Sequence, residues 1–223
     1  MRYDKFGSNG RYTVTSLYFE NQNHHIYFET KNKLQFRQKL RLRIYDNTDI
    51  KGVAFFEVKQ KHNNVVNKRR TAIPLEEAYC YLNSSIEDSP LRYEASNPQI
   101  MKEIHYFRTF YNLGPEMVVS YDRVAFHSLT DSDLRITFDL NLRCRNEDLK
   151  VENGPYGRNF IEPDLVVLEV KVTHSVPLWL ARLLQELDCE QRSASKFCTS
   201  LELLKGEELT GNAMKENITI GGR

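Results

Sequence analysis

Polar and apolar residues alternate one by one through much of this chain. The run Lys39–Tyr45 sets Lys39, Arg41 and Arg43 on one side and Leu40, Leu42 and Ile44 on the other. A period of two marks a β-strand with two unlike faces. Segments rich in aromatic and β-branched residues, punctuated by Asn, Asp and Gly, predict strands over Arg11–Phe19, His24–Glu29, Leu34–Tyr45, Ala54–Lys61 and Val65–Ile73. Strands resume over Glu116–Ser128, Asp133–Arg145 and Asp164–Thr173, with a loop from Asn146 to Pro163 between the last two. Apolar spacing of three and four predicts helices over Pro74–Leu82, Pro98–Leu113 (closed by Gly114), Val176–Leu187 and Ser195–Lys205. No linker divides the chain, so one α+β domain is expected over residues 1–205, followed by a polar tail, 206–223, expected to be disordered.

The alternation sorts charge as well as hydropathy. Glu57, Lys59 and Lys61 share a face, as do Tyr121 and Arg123. Arg135, Thr137, Asp139, Asn141 and Arg143 lie opposite Leu134, Ile136, Phe138, Leu140 and Leu142, and Glu169 with Lys171 opposite Leu168, Val170 and Val172. Summed over these strands, the polar faces carry nine cations (Lys39, Arg41, Arg43, Lys59, Lys61, Arg123, Arg135, Arg143, Lys171) against three carboxylates (Glu57, Asp139, Glu169). Period two alone does not separate a solvated face from an enclosed one. A solvated face usually mixes signs, because like charges opposite one another destabilise a sheet. A basic interior that holds a polyanion, contacted through charge-assisted bonds from Arg and Lys, accounts for the excess.

Composition narrows the classes. The chain of 223 residues is 27% charged and 40% hydrophobic with a formal net charge of +1. Bulk charge therefore argues against general binding to nucleic acid or a membrane surface. No apolar run approaches the roughly 18 residues that span a bilayer, and the polar start does not resemble a signal peptide. Cys80, Cys144, Cys189 and Cys198 show no C-x-x-C pairing and read as reduced thiols of a cytoplasmic protein. The six histidines show no metal-ligand spacing. The single tryptophan, Trp179, is expected in the core.

Six segments in order, Ser16–Glu20, Lys39–Tyr45, Phe55–Lys61, Arg135–Asp139, Val167–Val172 and Ser193–Phe197, resemble the VTC domain. This is the polyphosphate polymerase domain of the vacuolar transporter chaperone family, one of the triphosphate tunnel metalloenzymes related to the CYTH proteins. The resemblance runs from Tyr12 to Leu204. It implies an eight-stranded antiparallel β-barrel, a tunnel with helices packed outside, that takes triphosphate or polyphosphate with Mn²⁺ or Mg²⁺. By position, Arg41, Arg43, Lys59, Arg123, Arg135 and Lys171 look like the wall residues that clamp the reacting phosphates. Lys39, Lys61 and Arg143 belong with them by face, and Lys68 or Arg70 by position. Tyr121 resembles a tyrosine beside the phosphates, and Ser195 and Lys196 resemble a serine and lysine at a helix start. Glu169 resembles the metal-holding glutamate, and Glu57 is either a second metal ligand or a lysine partner. Two departures stand out. The family opens with a strand carrying a glutamate and a lysine that has no counterpart before Arg11, which implies an open seam, and Ser193 stands where a further lysine is common. The implied activity is phosphoryl transfer from a nucleoside triphosphate to phosphate or polyphosphate, with nucleoside triphosphate, polyphosphate or pyrophosphate as the expected ligands. Triphosphate hydrolysis, or polyphosphate or nucleotide binding without catalysis, are the rival readings.

Overall fold

The structure, a computed structural model, describes residues 1–63, 65–85, 87–129, 133–189, 191–192, 195–206 and 209. Ser193 and most of the tail lie outside them. The strands are β1 (Arg2–Tyr3), β2 (Arg11–Glu20), β3 (Phe36–Tyr45), β4 (Val53–His62), β5 (Val65–Pro74), β6 (Gly114–His127), β7 (Arg135–Arg145), β8 (Arg158–Asn159) and β9 (Val167–Lys171). The helices are α1 (His25–Lys31), α2 (Leu75–Asn83), α3 (Pro98–Phe110) and α4 (Leu178–Glu186), and residues 196–206 form a further helix, α5.

All strands join one antiparallel sheet in the order β5-β4-β3-β2-β6-β7, with β8 and β9 both paired to β7 and β1 to β6. The fold is thus α+β with the expected antiparallel sheet. The hydrogen-bond ladder does not close into a barrel: among the described residues nothing pairs the free edge of β5 with that of β9.

The apolar faces of the alternating strands form the core. Leu40 and Leu42 of β3 lie opposite Val58 and Phe56 of β4, and all four are buried, as are Ile44 and Ala54 on the same strands. Ile26 of α1, Leu75 and Tyr81 of α2, and Met101 and Ile104 of α3 cover this layer from outside. A smaller cluster, Leu134, Ile136 and Leu180, seats α4 against β7. It buries only one residue of α4, so Trp179 is 51% exposed and is not the core residue expected.

Two local expectations fail for tertiary reasons. His24–Glu29 is not a strand: His24 precedes α1 and His25–Glu29 lie inside it. Buried Glu20 accepts the backbone N–H groups of Ile26 and Tyr27 at 3.0 and 2.8 Å, satisfying the first turn. Asn21 Oδ1 takes that of His25, and His24 itself turns through φ 54°. Nor does Gly114 close α3. Asn112 takes the left-handed conformation at φ 52°, which Asn tolerates, and Gly114 already opens β6. At the other end of α3, Asn97 Oδ1 accepts from Ile100 N at 3.1 Å, with Pro98 at the first helical position. Replacing this cap by Asn97→Ala should cost about 1 kcal/mol in urea unfolding. A change within the ~0.5 kcal/mol of an ordinary surface substitution would show the cap to be dispensable.

Candidate anion-binding site

Each strand of the basic face is held in register by the apolar face behind it, so the cations stand in rows across neighbouring strands. Lys39 of β3 lies opposite Lys59 of β4, which lies opposite Lys68 of β5. Arg37 faces Lys61 in the next row. Arg41, Glu57 and Arg70 form the row on the other side. Directly opposed side chains have Cβ atoms about 4.5–5.5 Å apart, close enough for like charges to destabilise the pairing. Among the described residues neither Lys59 nor Lys61 has a carboxylate within salt-bridge distance.

Buried carboxylates hold the deeper cations. Glu57 is 1% exposed and meets Arg41 at 2.6 Å, Lys68 at 2.6 Å and Arg43 at 3.8 Å. Burial favours its neutral form, but the fields of Arg41, Arg43 and Lys68 outweigh that and lower its pKa to about 2. Arg41 also donates to Tyr18 Oη at 3.3 Å, and Arg43 to Ser16 Oγ at 3.0 Å and Tyr121 Oη at 3.3 Å. Tyr18 is fully enclosed, which disfavours phenolate, yet Arg41, Arg43 and Lys39 bring its pKa down to about 8. On the other wing, Asp139 is 0% exposed and holds Arg123 through two bonds of 2.7 and 2.9 Å. Lys196 reaches the same carboxylate at 2.8 Å. Burial opposes the charge of Asp139, and these two cations hold its carboxyl below the usual range.

The two wings face one another. β4 and β9 are five strand steps apart in the sheet, about 24 Å if it were flat. The Glu169 carboxylate of β9 nevertheless acts on the Lys59 ammonium of β4, so the sheet curls around its basic face. Desolvation, then the repulsion of Arg41 and Lys39, holds Lys59 below the ordinary lysine range. The start of α5 spans the concave side. Lys39 Nζ donates to Ser195 Oγ at 2.9 Å, that oxygen also caps the helix by accepting from Cys198 N at 3.2 Å, and Lys196 Nζ lies over the Tyr121 ring at 5.0 Å. Phe197 packs on Tyr18 with ring centroids 5.4 Å apart.

The expected residues thus come together with one exception. Lys39, Arg41, Arg43, Glu57, Lys59, Lys61, Lys68 and Arg70 share one wing; Tyr121, Arg123, Arg135, Glu169 and Lys171 share the other. Arg143 falls on the opposite face. A bulge between Ser120 and Asp122, with Asn141 at φ 51°, shifts β7 by one residue and pairs Arg143 with Ser120, where it points to Asp122 at 3.7 Å. Tyr18 was not singled out from the sequence, although it stands two residues from Ser16 on the same face. Asp4 was missed as well; it reaches Arg135 at 2.8 Å.

The carboxylates differ in what they could offer a hard divalent ion. Glu57 and Asp139 are closed off by cations within hydrogen-bond distance. Glu169 is partly exposed, and its neighbours Lys171 and Arg123 stand off at 3.4 and 3.7 Å. Burial works against its charge, and Lys171, Arg123 and Lys196 together hold it ionised below its usual range. Among the described residues no three His, Cys, Asp or Glu side chains gather into a metal cluster. A lone carboxylate still suits Mg²⁺ or Mn²⁺, which take their other ligands from phosphate and water. No described helix is long and apolar enough to cross a membrane.

The family model of the VTC domain matches residues 1–205, and the chain belongs to that family. Vacuolar transporter chaperone complex subunit 4 of Schizosaccharomyces pombe is 26% identical over 153 residues, 60% of this chain. The match covers 21% of that relative's length. The solved structure of PH1819 protein from Pyrococcus horikoshii OT3 overlaps 93% of this chain and 87% of its own at 13% identity, with a TM-score of 0.40, too loose a likeness to bear on function.

The acid limb of stability should report on Glu57. Its folded pKa lies below the unfolded value, so its contribution is present above about 4.5 and is lost as pH falls toward about 2. Glu57→Gln leaves three buried or half-buried cations without their anion and should cost roughly 3–5 kcal/mol at neutral pH. Its stability should also fall less steeply than the parent's between those pH values. An acid limb of equal slope in urea melts would show that Glu57 does not bear this charge cluster.

Proposed function

We propose that the basic face is the wall of a phosphate-binding tunnel and that the chain transfers a phosphoryl group from a nucleoside triphosphate to inorganic phosphate, pyrophosphate or polyphosphate. The single observation behind this reading is the row Lys39–Lys59–Lys68 beside Arg37–Lys61, cations opposed across strands without enough carboxylates to neutralise them. Family membership and the curl of the sheet support it.

In this reading a triphosphate lies along the concave face. Lys39, Lys59, Arg41 and Lys68 contact it from one wing, and Arg123, Arg135, Lys171 and Lys196 from the other. An oxygen of the acceptor phosphate attacks the terminal phosphorus, the bond to the leaving diphosphate breaks, and the diphosphate departs with the electron pair. No side chain serves as nucleophile. The cations position both anions in line and offset the charge that accumulates on the equatorial oxygens. Glu169 is the residue that would hold Mn²⁺ or Mg²⁺, which when bound would supply Lewis-acid stabilisation of phosphate charge.

A second reading, polyphosphate binding without turnover, is favoured by the engagement of Glu57 and Asp139 in ion pairs, which among the described residues leaves Glu169 as the accessible carboxylate on the face. Measurements with tripolyphosphate and with manganese separate the two. Tripolyphosphate at millimolar concentration should raise the thermal midpoint in low salt and raise it less in high salt, because ions screen the attraction. An unchanged midpoint in low salt would overturn both readings. Glu169→Gln should keep the fold and abolish manganese-dependent turnover of ATP. Binding with no turnover by the unmodified chain would leave the non-catalytic reading standing.

Tyr18 offers an optical probe of the same face. Phenolate absorbance should titrate with a midpoint near 8 that is missing in Tyr18→Phe. Bound tripolyphosphate should move that midpoint upward, since its negative charge opposes formation of phenolate. Insensitivity to the ligand would place the anion away from Arg41 and Lys39.

A further inference from the structure

The N-terminal segment contributes a charge to the basic face that its sequence does not announce. β1 pairs with the end of β6, Arg2 opposite His127 and Tyr3 opposite Phe126. The chain then turns back through Gly7 (φ +69°) and Gly10 (φ +67°). Two backbone bonds to one residue of β6 fix the strap: Asp4 N donates to Ala125 O at 2.8 Å, and Ala125 N donates to Gly10 O at 2.9 Å. Asp4 is consequently buried beside β7.

Its Oδ2 lies 2.8 Å from Arg135 Nη2 and 3.4 Å from His127 Nε2, while Oδ1 accepts weakly from Phe6 N at 3.4 Å. Arg135 Nη2 also donates to Tyr12 Oη at 3.0 Å. Both anchors grip the same guanidinium nitrogen. Arg135 Nε, buried, has no hydrogen-bond partner among the described residues. Arg123 differs, since its Nε and Nη2 are both taken up by Asp139. A buried N–H without an acceptor is costly, so a phosphate that turned this guanidinium enough to bring Nε to one of its oxygens would relieve the cost.

We infer that Asp4 is a positioning residue for anion binding: the strap holds its carboxylate against one nitrogen of Arg135 and so aims the rest of the guanidinium at the phosphate site. The inference rests on the phosphate-binding reading above. Its sign is opposite to that of simple electrostatics, in which removing a carboxylate from a polyanion site should tighten binding.

Calorimetric titration of tripolyphosphate into the full chain at low salt tests it. Arg135→Ala should weaken binding about ten- to hundredfold, the loss of a charge-assisted contact. Asp4→Asn should weaken it by a few-fold, and should have no further effect in the Arg135→Ala background, because it acts through Arg135. Gly7→Ala changes no charge, but its Cβ would sit 2.0 Å from Arg11 O, so it displaces the strap and should also weaken binding. Tighter or unchanged binding by Asp4→Asn overturns the inference and leaves the phosphate reading intact, as does an Arg135→Ala variant that binds like the parent. If Asp4→Asn does not fold, Gly7→Ala decides in the same way. No binding by the unmodified chain overturns both.

Discussion

Like charges crowded onto one face of an antiparallel sheet are the constraint on which this structure turns. A flat, open sheet would leave the cations of β3, β4 and β5 in water, where screening makes their repulsion cheap. In the curled sheet Arg41 and Arg43 are drawn out of water while Lys59, Lys68 and Arg70 stay exposed, and repulsion grows where water leaves. Two buried carboxylates make the curl tolerable. Glu57 gathers Arg41, Arg43 and Lys68, and Asp139 gathers Arg123 and Lys196. A buried ion pair seldom adds net stability against an apolar alternative, so these clusters are better understood as holding charge in place than as holding the fold together. The fold is held by the apolar face behind them, where Leu40, Leu42, Phe56 and Val58 meet the helices.

The neutralisation is incomplete in a patterned way. It is strongest deep in the face, at Glu57 and Asp139, and weakest along Lys39–Lys59 and Arg37–Lys61. Fixed cations that need not reorganise are what a transferred phosphoryl group requires. The turn into α5 adds to this arrangement, because Ser195 ties to Lys39 on one wing and Lys196 to Asp139 on the other. The loop after β7 has a different task. Arg145 donates to the carbonyls of Asp148, Lys150, Gly154 and Tyr156, which organises the chain from 146 to 157 on the side away from the charges.

Much of the site could be read from strand parity alone. Once Lys39, Arg41 and Arg43 share a face, register carries Glu57, Lys59, Lys68 and Arg70 onto it, and β6, β7 and β9 repeat the pattern. Parity fails where a strand breaks step. The bulge opposite Asp122 sends Arg143 to the other face, and nothing in the alternation of Arg135–Arg145 signals it, because apolar and polar residues keep alternating across the break. Asp4 was illegible for a different reason. Its role depends on a strap whose position is set by two bonds to Ala125, more than a hundred residues away in sequence.

The sequence by itself determined the longer strands β2 to β7 and β9, their two-faced character and the excess of cations on one side, because each follows from the spacing of side chains along an extended backbone. It also determined the family, through six short segments in order. Tertiary structure decided the rest. The segment after Glu20 became a helix because a buried carboxylate caps it, although its composition favours a strand. Trp179 stayed half in water because α4 seats on the sheet through Leu180 and Leu184, and only Leu180 is fully buried. The sheet curled without closing its ladder, since closure depends on how the edges of β5 and β9 approach each other, and no local pattern encodes the distance between strands so far apart in the chain.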